Sequence, residues 1–220
     1  MLGMDTIAKM TERSTCRISF VPTPVRSLRS DAARNRESLL AAAEAEFAEH
    51  GLETSVADIA RRAGVAKGTV FRHFATKEEL IAAVVARYLM TLSDVARRLS
   101  DSAEPGAALL EFLTMAADQR QQRDLTLVMS ASAEDLHVVQ LRDQLHADVG
   151  SLVDRARDCG AVRQDITGTD VFLLMCAPVH AVVYLSDPPP DLWRRYLAII
   201  FDGLRPEGAH PLPQPAPNWS

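Results

Sequence analysis

An all-α fold in two helical parts is what this 220-residue sequence predicts, on three observations. Apolar residues return every three to four positions from Asp31 to Leu204, the period of a helix face. Strand signals are missing: β-branched runs with period-two alternation do not occur, and aromatics are only 5%. The charge is also divided. Residues 1–80 carry 12 basic and 11 acidic side chains, whereas residues 81–220 carry 12 and 18, so a balanced part precedes an acidic one. The net charge of −5 argues against coating nucleic acid by bulk charge, but leaves room for a local basic patch.

Three cysteines, Cys16, Cys159 and Cys176, form no C-x-x-C pair, so neither a disulfide framework nor a structural zinc site is expected. The longest apolar run, Val171 to Leu185, contains Pro178 and His180 and is too short to span a bilayer. No signal-peptide core opens the chain, and a reduced, cytoplasmic protein without membrane partners follows. Residues 1–30 show no helical periodicity and hold five basic residues against two acidic ones. A disordered basic leader accounts for them; an arm that touches DNA is the alternative.

The elements follow in order. A first helix is expected over about 31–50, with Leu39, Ala43 and Phe47 on one face and Gly51 as its stop. A second begins at Ser55, where Ser55 and Asp58 approximate a capping box, buries Val56, Ile59, Ala60 and Ala63, and ends at Gly64. A third covers about 67–74. Thr76 and Glu79 form a T-x-x-E box for a fourth, whose Leu80, Ile81, Val84, Tyr88, Leu92, Val95 and Leu99 recur to about Ser100. About 25 residues give roughly 37 Å, enough to link two modules. Beyond Glu104-Pro105-Gly106, helices are expected at about 106–121, 123–132, 134–159, 169–185 and 190–204. The 134–159 helix carries Leu141, Leu145, Val149, Leu152 and Ala156 on one stripe and stops at Gly160. Asp187 and three prolines separate the last two, and residues 207–220 read as a loose tail.

The informative stretch is SVADIARRAGVAKGTVFRHFATK, Ser55 to Lys77. A helix, a tight turn at Gly64-Val65-Ala66 and a second short helix make the geometry of a helix-turn-helix, whose second helix enters the major groove. Arg61, Arg62, Lys67, Arg72 and Lys77 lie in it with no acidic residue between Arg61 and Lys77. Phosphate supplies a reason for such a cluster in an acidic protein. Gly68 lets the third helix approach the DNA backbone closely. Lys67 and Thr69 project from its first turn, and Arg72 has the fork that suits guanine O6 and N7. His73 either bonds phosphate or packs at the domain edge, and Lys77 is placed to clamp a phosphate. Thr54, Ser55 and Phe71 complete the expected DNA-facing set.

The segment Arg34 to Leu80 resembles the DNA-binding domain of tetracycline-repressor-like (TetR family) regulators. The match runs through Gly51, Ile59, Ala60, Ala63-Gly64-Val65, Gly68-Thr69, Phe71, His73-Phe74 and Lys77-Glu78. The C-terminal pattern through WRRYLAIIFDGLRP looks most like actinobacterial members. The resemblance implies residues 31–78 as a three-helix DNA-binding domain and residues 79–206 as a helical ligand-binding and dimerisation domain. Two positions depart from the family pattern. Ala66 stands where Ser usually caps the recognition helix, and a lost cap is worth about 0.5–2 kcal/mol. Phe71 replaces a Tyr whose hydroxyl contacts phosphate.

One helix-turn-helix makes few base contacts, so a homodimer reading two half-sites of double-stranded operator DNA is expected. The final helix pair is the expected interface, through Val171, Leu174, Pro178, Ala181, Val182, Trp193, Leu197 and Ile200. Met90, Phe112, Met115, Met129, Met175 and Tyr184 are the candidate lining of an apolar ligand pocket. His137, His146 and His180 show no metal spacing, so neither metal nor cofactor is expected. No G-x-S-x-G, P-loop, H-E-x-x-H or paired-carboxylate signature occurs, so the protein is not expected to be an enzyme. A ligand-responsive transcriptional repressor, released from a palindromic operator by a small molecule, is the resulting expectation. A helical scaffold that has lost DNA binding is its competitor, motivated by Ala66 and Phe71.

Overall fold

The computed structural model describes residues 26–122, 132–182, 185–207 and 209–219. The helix expected at 123–132 therefore lies outside the described residues, apart from its last position. Among the described residues the regular structure is helical throughout. The order is α1 (Arg26–His50), a 3₁₀ turn (Gly51–Glu53), α2 (Val56–Arg62), α3 (Lys67–His73), α4 (Lys77–Ser100) and α5 (Pro105–Gln122). It continues with α6 (Leu136–Asp158), α7 (Gly168–Leu174), α8 (Ala177–His180) and α9 (Leu192–Leu204). Helix α1 starts at Arg26, so the expected leader already turns helical before residue 30.

Local chemistry sets the ends. Gly51, Gly64 and Gly160 all have positive φ, between 66° and 75°, which side-chain-bearing residues rarely adopt. Ser55 caps α2 by accepting from the Asp58 N–H, and its hydroxyl donates to the Asp58 carboxylate at 2.6 Å. The box at α4 is displaced by one residue. Thr76 accepts from the Glu79 N–H at 3.1 Å, while the Glu79 carboxylate takes the Ala75 N–H at 2.7 Å. Asp135 caps α6 by accepting from the N–H groups of both His137 and Val138. Thr167 and Asp170 close a full capping box at the start of α7.

Helix α1 packs on the first half of α4, α2 on α1 and α3 on α2, burying Leu39, Leu40, Phe47, Ile59, Val70 and Phe74. The second half of α4 packs on α5 and α6, where Leu92, Val95 and Leu99 lie with Leu109, Phe112, Leu145, Val149 and Leu152. Charged links match this division. Arg87 of α4 holds Glu37 and the buried Glu44 of α1, and Arg97 reaches Asp148 of α6 at 3.9 Å.

Two expectations are corrected here. The single helix expected over 169–185 is broken: α7 ends at Leu174 and α8 begins at Ala177. Pro178 is the cause, because its ring cannot sit against the carbonyl four residues earlier, that of Leu174, and it has no N–H to donate. The tail expected to be loose is docked. Arg163 donates to the His210 carbonyl, and Trp219 lies on His146 and Phe172.

Helices α6 and α7 approach through their backbones. A Cβ built on Gly168 would sit 2.6 Å from the Gly150 Cα, whereas one built on Gly150 points into open space. Gly168→Ala should therefore cost about 1–3 kcal/mol in urea unfolding, as overpacking does. Gly150→Ala should instead be stabilising by about 0.5–1 kcal/mol, because alanine favours a helix interior. Equal effects at the two sites would contradict this asymmetry.

Candidate nucleic-acid interface

Helix α3 is seven residues long and is presented by the α2–Gly64–α3 turn. The Val65 N–H returns to the Ala60 carbonyl at 3.0 Å, which closes α2 and sets the direction of the chain into α3. Val70 is buried against the core, and this fixes which side of α3 faces out. Lys67, Gly68, Phe71 and Arg72 are exposed along that outward side, with Thr69 and His73 half-buried at its edges. The Lys67 ammonium lies 5.8 Å from the Phe71 ring centroid, above a ring that is 44% exposed. An exposed aromatic flanked by a lysine and an arginine, beside a residue with no side chain, suits a close approach to a phosphate-lined groove.

The expected basic cluster separates into two kinds of charge. Arg61 pairs with Asp58 at 2.6 Å. Arg62 forks onto Glu49 at 2.8 and 2.5 Å and also meets Glu46 at 2.9 Å. That fork holds the Glu49 carboxyl below the usual carboxylate range. Lys77 donates to the Leu52 carbonyl, tying the start of α4 to the 3₁₀ turn. These partners lie outside the Arg61–Lys77 window, on α1, on the first turn of α2 and on a backbone carbonyl, where no scan of that window finds them. Arg62 and Lys77 thus brace the unit, Arg61 pairs within α2 and stays exposed, and Lys67 and Arg72 face outward.

Two of the remaining expected contacts also have internal roles. Thr54 is buried and donates to the Glu46 carbonyl at 3.1 Å, and Ser55 caps α2. Ala66 occupies the N-cap of α3 with φ −71° and ψ 145°, the extended backbone of a cap, and supplies no side-chain hydrogen bond.

The residues expected to line a ligand pocket do not assemble into one wall. Phe112 and Met175 are buried in the core, Met115 packs beside it half-buried, and Met129 and Tyr184 lie outside the described residues. Met90 is 50% exposed and faces a groove of about 500 Å³ between α1 and α4, with Leu40 and Phe74. The polar group inside this half was missed by the sequence reading. Arg120 of α5 is buried, stands 3.3 Å from His180 Nε2, and hydrogen-bonds the buried Tyr88 of α4. Burial, with the Cys176 thiol nearby, pushes the Tyr88 hydroxyl up to about 12 against the opposing pull of Arg120. Nothing in the spacing of Arg120 distinguishes it from a surface arginine, because only packing turns it inward.

The expected interface residues divide similarly. Val171, Pro178, Val182, Trp193 and Leu197 are closed inside the chain's own core and cannot form a docking face. Leu174 and Ile200 are half-buried and Ala181 is exposed. The apolar side chains that do project from these helices are Leu173, 58% exposed, and Ile199, 54% exposed. Among the described residues no helix is long and apolar enough to cross a membrane.

Two family models match this chain. "Bacterial regulatory proteins, tetR family" matches residues 39–84, and "Transcriptional regulator SbtR-like, C-terminal domain" matches residues 104–206. The HTH-type transcriptional repressor KstR2 of Mycobacterium tuberculosis is 40% identical over 83 residues, which are 37% of this chain and 42% of that protein. The matched segment thus spans less than half the length of that relative. The crystal structure of a TetR transcription regulatory protein from Mycobacterium vanbaalenii is 32% identical, covers 81% of this chain and 99% of its own, and has a TM-score of 0.62. The regulator FadR of Bacillus subtilis, solved with stearoyl-CoA, shares the fold at 15% identity, with a TM-score of 0.63 over 79% of this chain and 99% of its own.

The bare cap and the exposed ring make a paired prediction. Ala66→Ser should raise stability to urea by about 0.5–2 kcal/mol, since the backbone already has cap geometry. Phe71→Tyr should leave stability nearly unchanged and tighten DNA binding by about 0.5–1.5 kcal/mol in a titration of labelled duplex. Weaker binding by the tyrosine variant would mean that this ring does not face phosphate.

Proposed function

Since the chain belongs to the TetR family of bacterial regulatory proteins, we propose that it is a ligand-responsive transcriptional repressor that binds a palindromic operator as a homodimer. The observation that carries this reading is the outward side of α3. Lys67, Gly68, Phe71 and Arg72 are exposed together, while Arg62 and Lys77 brace the helices that present them. Arg72 is the base reader in this proposal, with Lys67, Thr69 and His73 on phosphate. Its relatives are named as regulators, and this chain acts by binding rather than by catalysis, in the cytoplasm.

Two copies are needed because α3 is too short to read more than a few base pairs. The exposed Leu173 and Ile199 on the α7–α9 side support that side as the dimer face, in place of the buried residues first expected. The small-molecule effector binds the second helical half, where the buried Arg120 and Tyr88 meet the half-buried Cys176 and the exposed His180 on α4, α5 and the α7–α8 segment. An effector that favours a tilted α4 lowers operator affinity only by the ratio of its affinities for the two conformations.

Selection of bound duplexes from a random pool tests the reading and should return a two-fold symmetric site. On that site Arg72→Ala should cost about 1–3 kcal/mol and relax preference at one base pair per half-site. Recovery of no sequence preference would favour the scaffold alternative. Ile199→Glu should give monomers in sedimentation with helix content retained, because a charge at the centre of an interface burying about 2,000 Å² is intolerable. Operator binding should fall with it; a variant that stays dimeric would move the interface elsewhere.

A further inference from the structure

Residues 210–219 read His210-Pro211-Leu212-Pro213-Gln214-Pro215-Ala216-Pro217-Asn218-Trp219, with proline at every second position from Pro211 to Pro217. Each proline fixes its own φ and drives the residue before it into extended backbone. Such a segment is stiff before it touches anything, so docking it costs little chain entropy. The backbone bends at Pro213 and Gln214, so the nine steps from His210 to Trp219 span less than the roughly 28 Å of a straight extended segment.

Both ends of this strap are held. At the near end Arg163 grips Asp165 at 2.6 and 2.8 Å and also donates to the His210 carbonyl. Asp165 in turn accepts from the Leu212 backbone N–H. At the far end Trp219 lies between α6 and α7. Its ring stacks on His146 with centroids 4.1 Å apart and planes 9° from parallel. Phe172 of α7 meets it edge-on at 4.8 Å, and the Arg142 guanidinium stands 5.3 Å from its centroid. The indole N–H donates to Asp143 at 3.0 Å. Both the ring system and the N–H of the indole therefore have dedicated partners, drawn from two helices. His146 is itself oriented by a 2.9 Å contact between its Nε2 and the Thr169 hydroxyl of α7.

The place where this happens matters. Helix α7 meets α6 through the bare backbone contact of Gly168 with Gly150, and Phe172 lies one turn further along. Helix α7 is only seven residues long and meets α6 through this close glycine contact at its first residue, and Trp219 bridges the two helices beyond it.

We propose that the α6–α7 groove is a docking site for an indole side chain, that its occupant is Trp219 of the same chain, and that the proline strap latches the first turns of α7 onto α6. This inference does not depend on the DNA-binding reading. The full chain labelled with 5-fluorotryptophan tests it, because the sequence has two tryptophans and Trp193 is buried in the core as an internal control. In the wild type, the Trp219 fluorine resonance should stand apart from that of a free peptide of residues 209–220. His146→Ala should move it toward the peptide position while the Trp193 resonance stays. In Trp219→Ala, amide exchange over Thr167–Val171 should accelerate by about tenfold, while α4 is unchanged; Trp219→Phe should restore part of the protection. A wild-type Trp219 resonance at the free-peptide position would overturn the site. Unchanged exchange in Trp219→Ala would overturn the latch. A resonance that reverts to the peptide position on dilution would assign the occupant to a second copy and overturn the same-chain assignment.

Discussion

One continuous hydrophobic core runs along helix α4 and ties the first helices to the later ones. The helix packs with its first half on α1 and with its second half on α5 and α6. At 24 residues it is about 36 Å long, and no hinge residue interrupts it. Arg87, near its middle, is bound to Glu37 and to Glu44 of α1, and Glu44 is only 4% exposed. Opening that pair would leave a carboxylate in a poorly solvated place, so α1 and α4 are held to one relative geometry. A tilt of α4 therefore carries the recognition helix with it. Under the proposed function, this rigidity is the route by which a packing change in the second half reaches α3.

The division of charge in the helix-turn-helix follows from the same need for a fixed geometry. Arg62 alone joins α2 to two carboxylates of α1, and Lys77 joins α4 to the turn before α2. Two seven-residue helices bury only Ile59, Ala60 and Val70 of their own and are too short to stand alone. Bidentate ion pairs and caps complete the orientation, and Thr54 and Ser55 contribute in the same way. The outward set that remains is small: Lys67, Arg72, and the glycine and aromatic between them. Under the proposed function, so small a set calls for the twofold repetition of a dimer.

In the second half, proline and glycine set the outcome more than apolar content does. The run Val171 to Leu185 is hydrophobic enough for one continuous helix, yet Pro178 divides it. The break turns Cys176 and His180 toward the buried Arg120 and Tyr88. Likewise the alternating prolines after His210, which read as a loose tail, make a segment stiff enough to be captured at both ends.

The sequence by itself determined what depends on neighbours a few residues apart. Helix periodicity, the glycine stops at Gly51, Gly64 and Gly160, the caps at Ser55 and Thr76, and the motif from Arg34 to Leu80 are all local, and each was legible. Tertiary structure alone decided whatever depends on partners far along the chain. It chose which cations are tied back into the fold, since Glu46 and Glu49 of α1 claim Arg62. It turned Arg120 inward and left Met90 outside, although both sit on amphipathic helices. It buried Trp193 and Leu197 within one chain and exposed Ile199 two positions on. It seated Trp219 on His146, 73 residues earlier. Periodicity states that a helix has an apolar face, but not whether that face meets its own core, a second copy or the chain's own end. That choice rests on contacts between distant segments, which leave no local pattern.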